Sequence, residues 1–288
     1  MSGDRPLAVA LLAPALVALG AVTAYPVARV LALSLERRVP VFGIADFVGL
    51  ANYRFLAGDP AFWNAVRVTL AFTVVSVALE VVLGVLVALA LRRQQRFRAA
   101  SLALLLLPWC LPAVVTARTW EWLYHPTAGL VSRLASPLSG PANWLGDPST
   151  ALGALVVADV WRTMPFLALL AFARLGTIPA SVYEAAAVDG AGRVATFRAI
   201  TLPLLAPVLL VATLFRTLDA LRAFDLMFVL TGGGPAGTTE TLTILAYRNL
   251  FQTLQLGVGA AVAVVLFAVV VGVAWAYLRA IDAGEAAR

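Results

Sequence analysis

Long apolar runs broken by short polar stretches dominate the chain, at about residues 7–35, 66–91, 99–124, 151–175, 204–230 and 256–279. Each is long enough to cross the ~30 Å hydrocarbon core of a bilayer as a helix. The pattern therefore predicts an all-α membrane protein with six transmembrane helices. The first run is too long for the apolar part of a signal peptide and has no small-x-small cleavage site, so it is expected to be retained as a span. Pro14 and Pro26 lie inside it, where neighbouring helices and water can satisfy the freed carbonyls. The connections at 36–65, 125–150 and 231–255 are rich in Gly, Pro, Asn and Thr and predict turns with short helices. One membrane domain follows, with a first helix and outer loop at 1–65, a five-helix core at 66–279 and a tail at 280–288.

Composition makes lipid the required solvent. Of 288 residues, 62% are hydrophobic and 12% charged, and a mean hydropathy of +0.93 leaves more apolar surface than a soluble core could bury. The net charge of +6 comes from 21 basic residues, all of them arginine. In such a chain a basic excess orients the spans, and no nucleic-acid partner is expected. With the N-terminus inside, the inner segments hold Arg5, Arg92, Arg93, Arg96, Arg98, Arg174, Arg193, Arg198, Arg279 and Arg288. The outer ones hold Arg37, Arg38, Arg54, Arg133 and Arg248, an asymmetry that predicts both termini in the cytoplasm. A lone Cys110 and a lone His125 exclude an internal disulfide and argue against a zinc site. Without lysine the G-x-x-x-x-G-K-[ST] phosphate loop cannot be written, so any ATP hydrolysis belongs to a partner.

The segment 178–203 between the fourth and fifth spans is patterned like structure. Ser181 and Glu184 have the spacing of a capping box, which predicts a helix start at Ser181. That helix runs through Ala185, Ala186, Ala187 and Val188 to Asp189, where Gly190 and Gly192 can take the positive φ that ends a helix. A second short helix over 193–200 leads to Ile200, Leu202 and Pro203, with Pro203 in the first turn of span five. A helix-turn-helix at the inner membrane face is the expected result.

These residues carry a resemblance. Glu184-Ala185-Ala186, three residues, Gly190, nine residues, then Ile200-Thr201-Leu202-Pro203 is similar to the cytoplasmic loop of permeases from binding-protein-dependent ABC importers. The stretch from Phe215 to Pro235 resembles their carbohydrate members, in particular permeases of the trehalose and maltose type. The resemblance implies the type I ABC importer permease fold in the inner or plasma membrane of a bacterium or archaeon. It implies a second homologous permease subunit, two ATPase domains that bind ATP and Mg, and an extracytoplasmic sugar-binding protein. No cofactor is expected on this chain. The loop helices would dock on the ATPase: Glu184 fixing the helix start, Ala185 and Ala186 permitting close approach, Gly190 making the turn, and Asp189, Ile200, Leu202 and Pro203 completing the coupling set.

Charges inside spans are costly and usually face a cavity or a partner. Here they include Glu80, Arg118, Glu121, Asp159, Arg162, Arg216, Asp219, Arg222 and Asp225. The pairs Arg118/Glu121, Asp159/Arg162, Arg216/Asp219 and Arg222/Asp225 are all spaced i,i+3, so each can meet on a helix surface. One reading makes Glu121, Asp159, Arg162, Asp219, Arg222 and Asp225 part of a polar sugar route. Trp161, Phe224 or Phe228 would then supply a ring face. The other reading makes the pairs structural. Trp120, Trp122 and Tyr124 are expected as interfacial anchors, and Gly232-Gly233-Gly234-Pro235 as a turn without a phosphate-binding context. Two further classes stay open. An ion-coupled carrier would use Glu80 as its relay, although no inverted repeat is evident, and an intramembrane enzyme would lack a recognisable catalytic cluster.

Overall fold

Nearly every apolar run is helical in the computed structural model, which describes residues 4–94, 96–139 and 143–286. In chain order the elements begin with α1 (Asp4–Ser34), β1 (Glu36–Val39), β2 (Ile44–Phe47), α2 (Ala51–Gly58) and α3 (Pro60–Arg93). They continue with α4 (Arg98–Cys110), α5 (Ala113–Leu123), α6 (Leu130–Ser139), α7 (Ala151–Gly176), α8 (Ala180–Val188) and α9 (Arg193–Thr196). The last are α10 (Leu202–Leu221), α11 (Asp225–Leu230), α12 (Leu242–Tyr247) and α13 (Leu256–Ala286). Arg288, counted among the inner arginines, lies outside the described residues, as does the end of the 280–288 tail. Five helices are long and apolar enough to cross a membrane singly, and α4 with α5 makes a sixth crossing if the bent pair is one span.

That bend corrects the expected continuous third span. The two halves meet at 97°. Leu111 takes the extended ψ of 136° that a following proline imposes, and Pro112 has no N–H with which to continue the helical ladder. Span five also stops earlier than expected, at Leu221 instead of 230. There the Arg222 guanidinium turns back to donate to the Leu218 carbonyl at 3.0 Å, satisfying a helix-end acceptor. The chain then restarts as α11, with Asp225 in the first turn, where a negative charge suits the helix dipole.

Residues 1–63 and 245–268 form one compact unit. The connection at 36–65 holds a hairpin in place of the turns and short helices alone that were expected. Glu36 pairs with Phe47 and Val39 with Ile44 in antiparallel register, and Gly43 closes the end at φ 64°. Asn52 donates to the Ser34 carbonyl at 2.8 Å and the Glu36 carbonyl at 2.9 Å. The first turn of α13 approaches so closely that a Cβ on Gly257 would lie 1.9 Å from the Glu36 carbonyl oxygen.

Residues 64–244 with 269–288 form the second unit. One core cluster joins α3, α5, α7 and α11 around Phe72, Trp120, Leu155 and Met227. A second joins α3, α7 and α10 around Val85, Leu91, Leu167 and Leu205. Between α3 and α7 a Cβ on Gly84 would sit 2.6 Å from Leu167 Cδ2 and 3.2 Å from the Ala168 nitrogen. A small residue at this crossing lets the backbones approach, as membrane helix packing requires. Gly84→Val should overpack the crossing by about 1–3 kcal/mol and lower the thermal unfolding midpoint in detergent. Gly272→Ala, where nothing lies within 4 Å, should leave it unchanged or raise it slightly.

Candidate functional site

The loop after α7 is a protruding helical turn. Pro179 sits at the N-cap of α8 with extended backbone, and no side chain caps the helix. The expected capping box is therefore not formed. The helix starts at Ala180, one residue earlier than expected, so Ser181 falls inside the first turn instead of before it. At the other end Gly190 takes φ 72°. Its N–H bonds the Ala187 carbonyl at 3.1 Å while the Ala191 N–H bonds the Ala186 carbonyl at 2.9 Å. This is the Schellman closure that favours glycine. Gly192 has an ordinary φ of −68° at the N-cap of α9, so only one of the two glycines needs its conformational freedom. Beyond α9, residues 197–201, including Ile200, form a π turn that runs directly into α10, whose second residue is Pro203.

The loop residues divide by exposure. Ala186 is buried against its own chain, whereas Val188 is 88% exposed. Glu184, Ala185, Asp189, Gly190, Leu202 and Pro203 are exposed and Ile200 is half-buried. Close approach to a partner is thus open to Ala185 and not to Ala186. Arginines that signalled orientation also brace this loop. The Arg92 guanidinium lies 4.3 Å from the Tyr183 ring centroid, a cation–π contact. Arg174 Nε donates to the Leu204 carbonyl at 3.0 Å and Nη1 to the Thr177 hydroxyl at 3.1 Å.

Deep among the spans, three charges from three helices converge. Arg216 of α10 donates from Nε to Glu80 Oε2 of α3 at 2.6 Å and from Nη2 to Asp159 Oδ2 of α7. Glu80 is wholly buried, and Asp159 and Arg216 nearly so. The Thr163 hydroxyl lies 2.8 Å from Glu80 Oε1 and 2.7 Å from the Asp159 carbonyl, so its one proton serves either acceptor in turn. Arg162 Nη2 approaches Asp159 Oδ1 at 4.0 Å and balances the second carboxylate. Glu80, the relay of the carrier reading, is held between Arg216 and Thr163.

Two of the four predicted i,i+3 pairs keep their partners as expected: Arg118 with Glu121 at 2.6 Å and Asp159 with Arg162 at 4.0 Å. The other two are corrected. Arg216 turns inward to Glu80 and Asp159, leaving Asp219 to pair with Arg222 at 3.1 Å, both exposed. Arg222 and Asp225 make no ion pair with each other, because α10 ends at Leu221 and α11 starts afresh at Asp225, so the i,i+3 geometry is lost. No local spacing could have revealed the Glu80–Arg216 contact, which joins residues 136 apart.

The aromatic candidates also separate. Trp161 is partly exposed and meets Trp120 edge-on at 5.8 Å. Phe224 stacks on Phe228 at 5.1 Å. Trp120 and Tyr124 belong to the core, and of the three expected anchors only Trp122, 76% exposed, stands on the surface. Glu121, Asp219, Arg222 and Asp225 are thus surface groups, and Asp159 is an interior one.

The family model described as binding-protein-dependent transport system inner membrane component matches residues 80–281. The trehalose/maltose transport system permease protein MalF of Thermococcus litoralis is 44% identical over 255 residues, 88% of this chain and 86% of that protein. The sulfoquinovosyl glycerol transport system permease protein SmoG of Agrobacterium fabrum is 39% identical, covering 97% and 91%. A chain of the bacterial alginate ABC transporter, solved with an alginate pentasaccharide-bound periplasmic protein, superposes with a TM-score of 0.81. It shares 20% identity, over 95% of this chain and 93% of that one, and carries the same fold.

Truncating the wholly buried Glu80 opens a cavity and leaves Arg216 Nε without its acceptor, and an unsatisfied buried donor costs about 1–3 kcal/mol, more when it is charged. Glu80→Ala should therefore lower the thermal unfolding midpoint. Asp219→Ala, which breaks an exposed pair, should not change it measurably.

Proposed function

The chain belongs to the binding-protein-dependent transport system inner membrane components, and from that premise we propose that it forms half of a sugar-conducting pathway and takes its drive through the α8–α9 turn. It is a non-catalytic permease subunit of a sugar ABC importer, in the inner membrane, with ATP hydrolysis in a separate subunit. The proposal adds substrate, orientation and coupling site. The substrate is a disaccharide of the trehalose or maltose kind, as the name of the Thermococcus litoralis relative suggests. Exposed Asp219, Arg222 and Asp225 and half-buried Glu121 offer hydroxyl-binding groups, with Trp161 and the Phe224/Phe228 stack offering ring faces. Asp159 and Arg162 support that surface from beneath. The arginine asymmetry supports cytoplasmic termini and puts the turn on the ATPase side, where ATP and Mg belong to the partner. A second permease and an external sugar-binding protein complete the pathway.

The observation that carries the coupling role is the exposed Schellman turn at Gly190, set within the family spacing Glu184–Pro203. A Cβ on Gly190 would meet nothing within 4 Å, so a side chain there disturbs only the backbone conformation and whatever docks on the turn. The left-handed conformation costs a non-glycine residue about 1–2 kcal/mol, too little to unfold the bundle.

Gly190→Asp and Val188→Asp, tested in the assembled transporter, should leave the permease inserted while abolishing substrate-stimulated ATP hydrolysis or releasing the ATPase. A cysteine at Ala187, without Cys110, should label from the ATPase side alone. Coupled uptake at the unaltered rate in both variants would show that the turn is not the dock.

A further inference from the structure

Within the unit formed by 1–63 and 245–268, two cavities lie one below the other along the same pair of helices. The upper is a cleft of about 570 Å³ lined by Arg37, Arg38, Phe42, Phe55, Thr253 and Gln255, among others, with no carboxylate in its lining. Its depth in the membrane is fixed by the chain: α1 ends at Ser34, just before the two arginines, and α13 begins at Leu256, just after Gln255. The cleft therefore stands at the level where both spans leave the hydrocarbon. Phe42 and Phe55, 77% and 57% exposed, suit that interfacial level.

The lower cavity is a groove of about 180 Å³, lined by Val27, Val30 and Leu31 of α1 and by Ala263, Val264 and Phe267 of α13. At about 1.5 Å per residue, it runs some 5–16 Å below the helix ends. No polar side chain lines it.

The charges around the upper cleft favour an anion. Arg38 Nη1 reaches Glu36 at 3.3 Å and stays 42% exposed. Arg37 stands opposite Asp46 in the hairpin register, yet makes no ion pair among the described residues. Two guanidiniums at headgroup level above an apolar groove match one molecule in chemistry and dimension.

We propose that this unit holds a glycerophospholipid with an anionic headgroup, the headgroup in the cleft that Arg37 and Arg38 line and one acyl chain along the α1–α13 groove. A sugar fills the upper cleft but has nothing for the lower groove, and a zwitterionic phospholipid such as phosphatidylcholine brings its own quaternary ammonium, which two guanidiniums repel. The site ties the hairpin and the ends of both spans to the leaflet at which α1 ends and α13 begins.

The test uses the purified full chain, reconstituted in bilayers of equal phosphatidylglycerol and phosphatidylcholine and then extracted for native mass spectrometry. The unaltered chain should retain phosphatidylglycerol in excess. An arginine near an anionic phosphate strengthens attraction about fivefold, so Arg37→Ala/Arg38→Ala should reduce that excess roughly tenfold or more. Ala263→Phe fills the groove without touching either arginine and should remove the excess as well. Equal retention of the two lipids by the unaltered chain, or an excess that survives either variant, overturns the proposal.

Discussion

The Arg216 guanidinium reaches two carboxylates on two other helices, and the arrangement of the second unit depends on that sharing. Apolar side chains give little preference for one helix register over another when the surrounding lipid is equally apolar. Three buried charges do, because each is costly to leave unpaired in a low-dielectric interior. Glu80 fixes α3, Asp159 fixes α7 and Arg216 fixes α10. Gly84 lets α3 and α7 come close along the same face, and the clusters around Phe72 and Leu205 fill the remaining space. The interior charges are thus a register device, and the groups available to a polar solute are the exposed ones.

The same helix links this device to the exposed turn at Gly190. From Gly190 the chain passes through α9 and a π turn into α10 without an intervening loop, and Arg216 lies some 14 residues, about 21 Å, along that helix. Under the proposed coupling, a displacement of the turn moves α10 as one body against the carboxylates of α3 and α7. π turns frequently mark functional positions in helices, and this one joins the exposed turn to the helix that carries Arg216.

What could be read in the sequence followed from patterns that are local or periodic. Apolar runs located the spans, the Glu184–Pro203 spacing located the turn, and Gly190 announced its own left-handed backbone. The failures share a physical cause as well. Ser181 and Glu184 have the spacing of a capping box, but Pro179 shifts the helix start by one residue and removes the cap. Pro112 lies within an apolar run whose hydropathy conceals a bend of 97°. Arg216 and Asp219 satisfy the i,i+3 rule, yet burial draws Arg216 to partners on other helices. Trp120 and Tyr124 stand near a span end in sequence, whereas the break at Pro112 carries them into the core. Local spacing lists the available partners, and tertiary burial selects among them.

The register role of Arg216 is tested most directly by removing the charges together. Arg216→Met alone leaves two buried carboxylates facing one another and should severely lower the thermal unfolding midpoint of the full chain in detergent. Adding Glu80→Gln and Asp159→Asn removes those charges while keeping side-chain volume, and Arg162, with a quarter of its side chain exposed, can turn to solvent. The account predicts that the triple variant recovers most of the stability lost by the single one. A triple variant as unstable as Arg216→Met, or an Arg216→Met chain as stable as the unaltered protein, would contradict it.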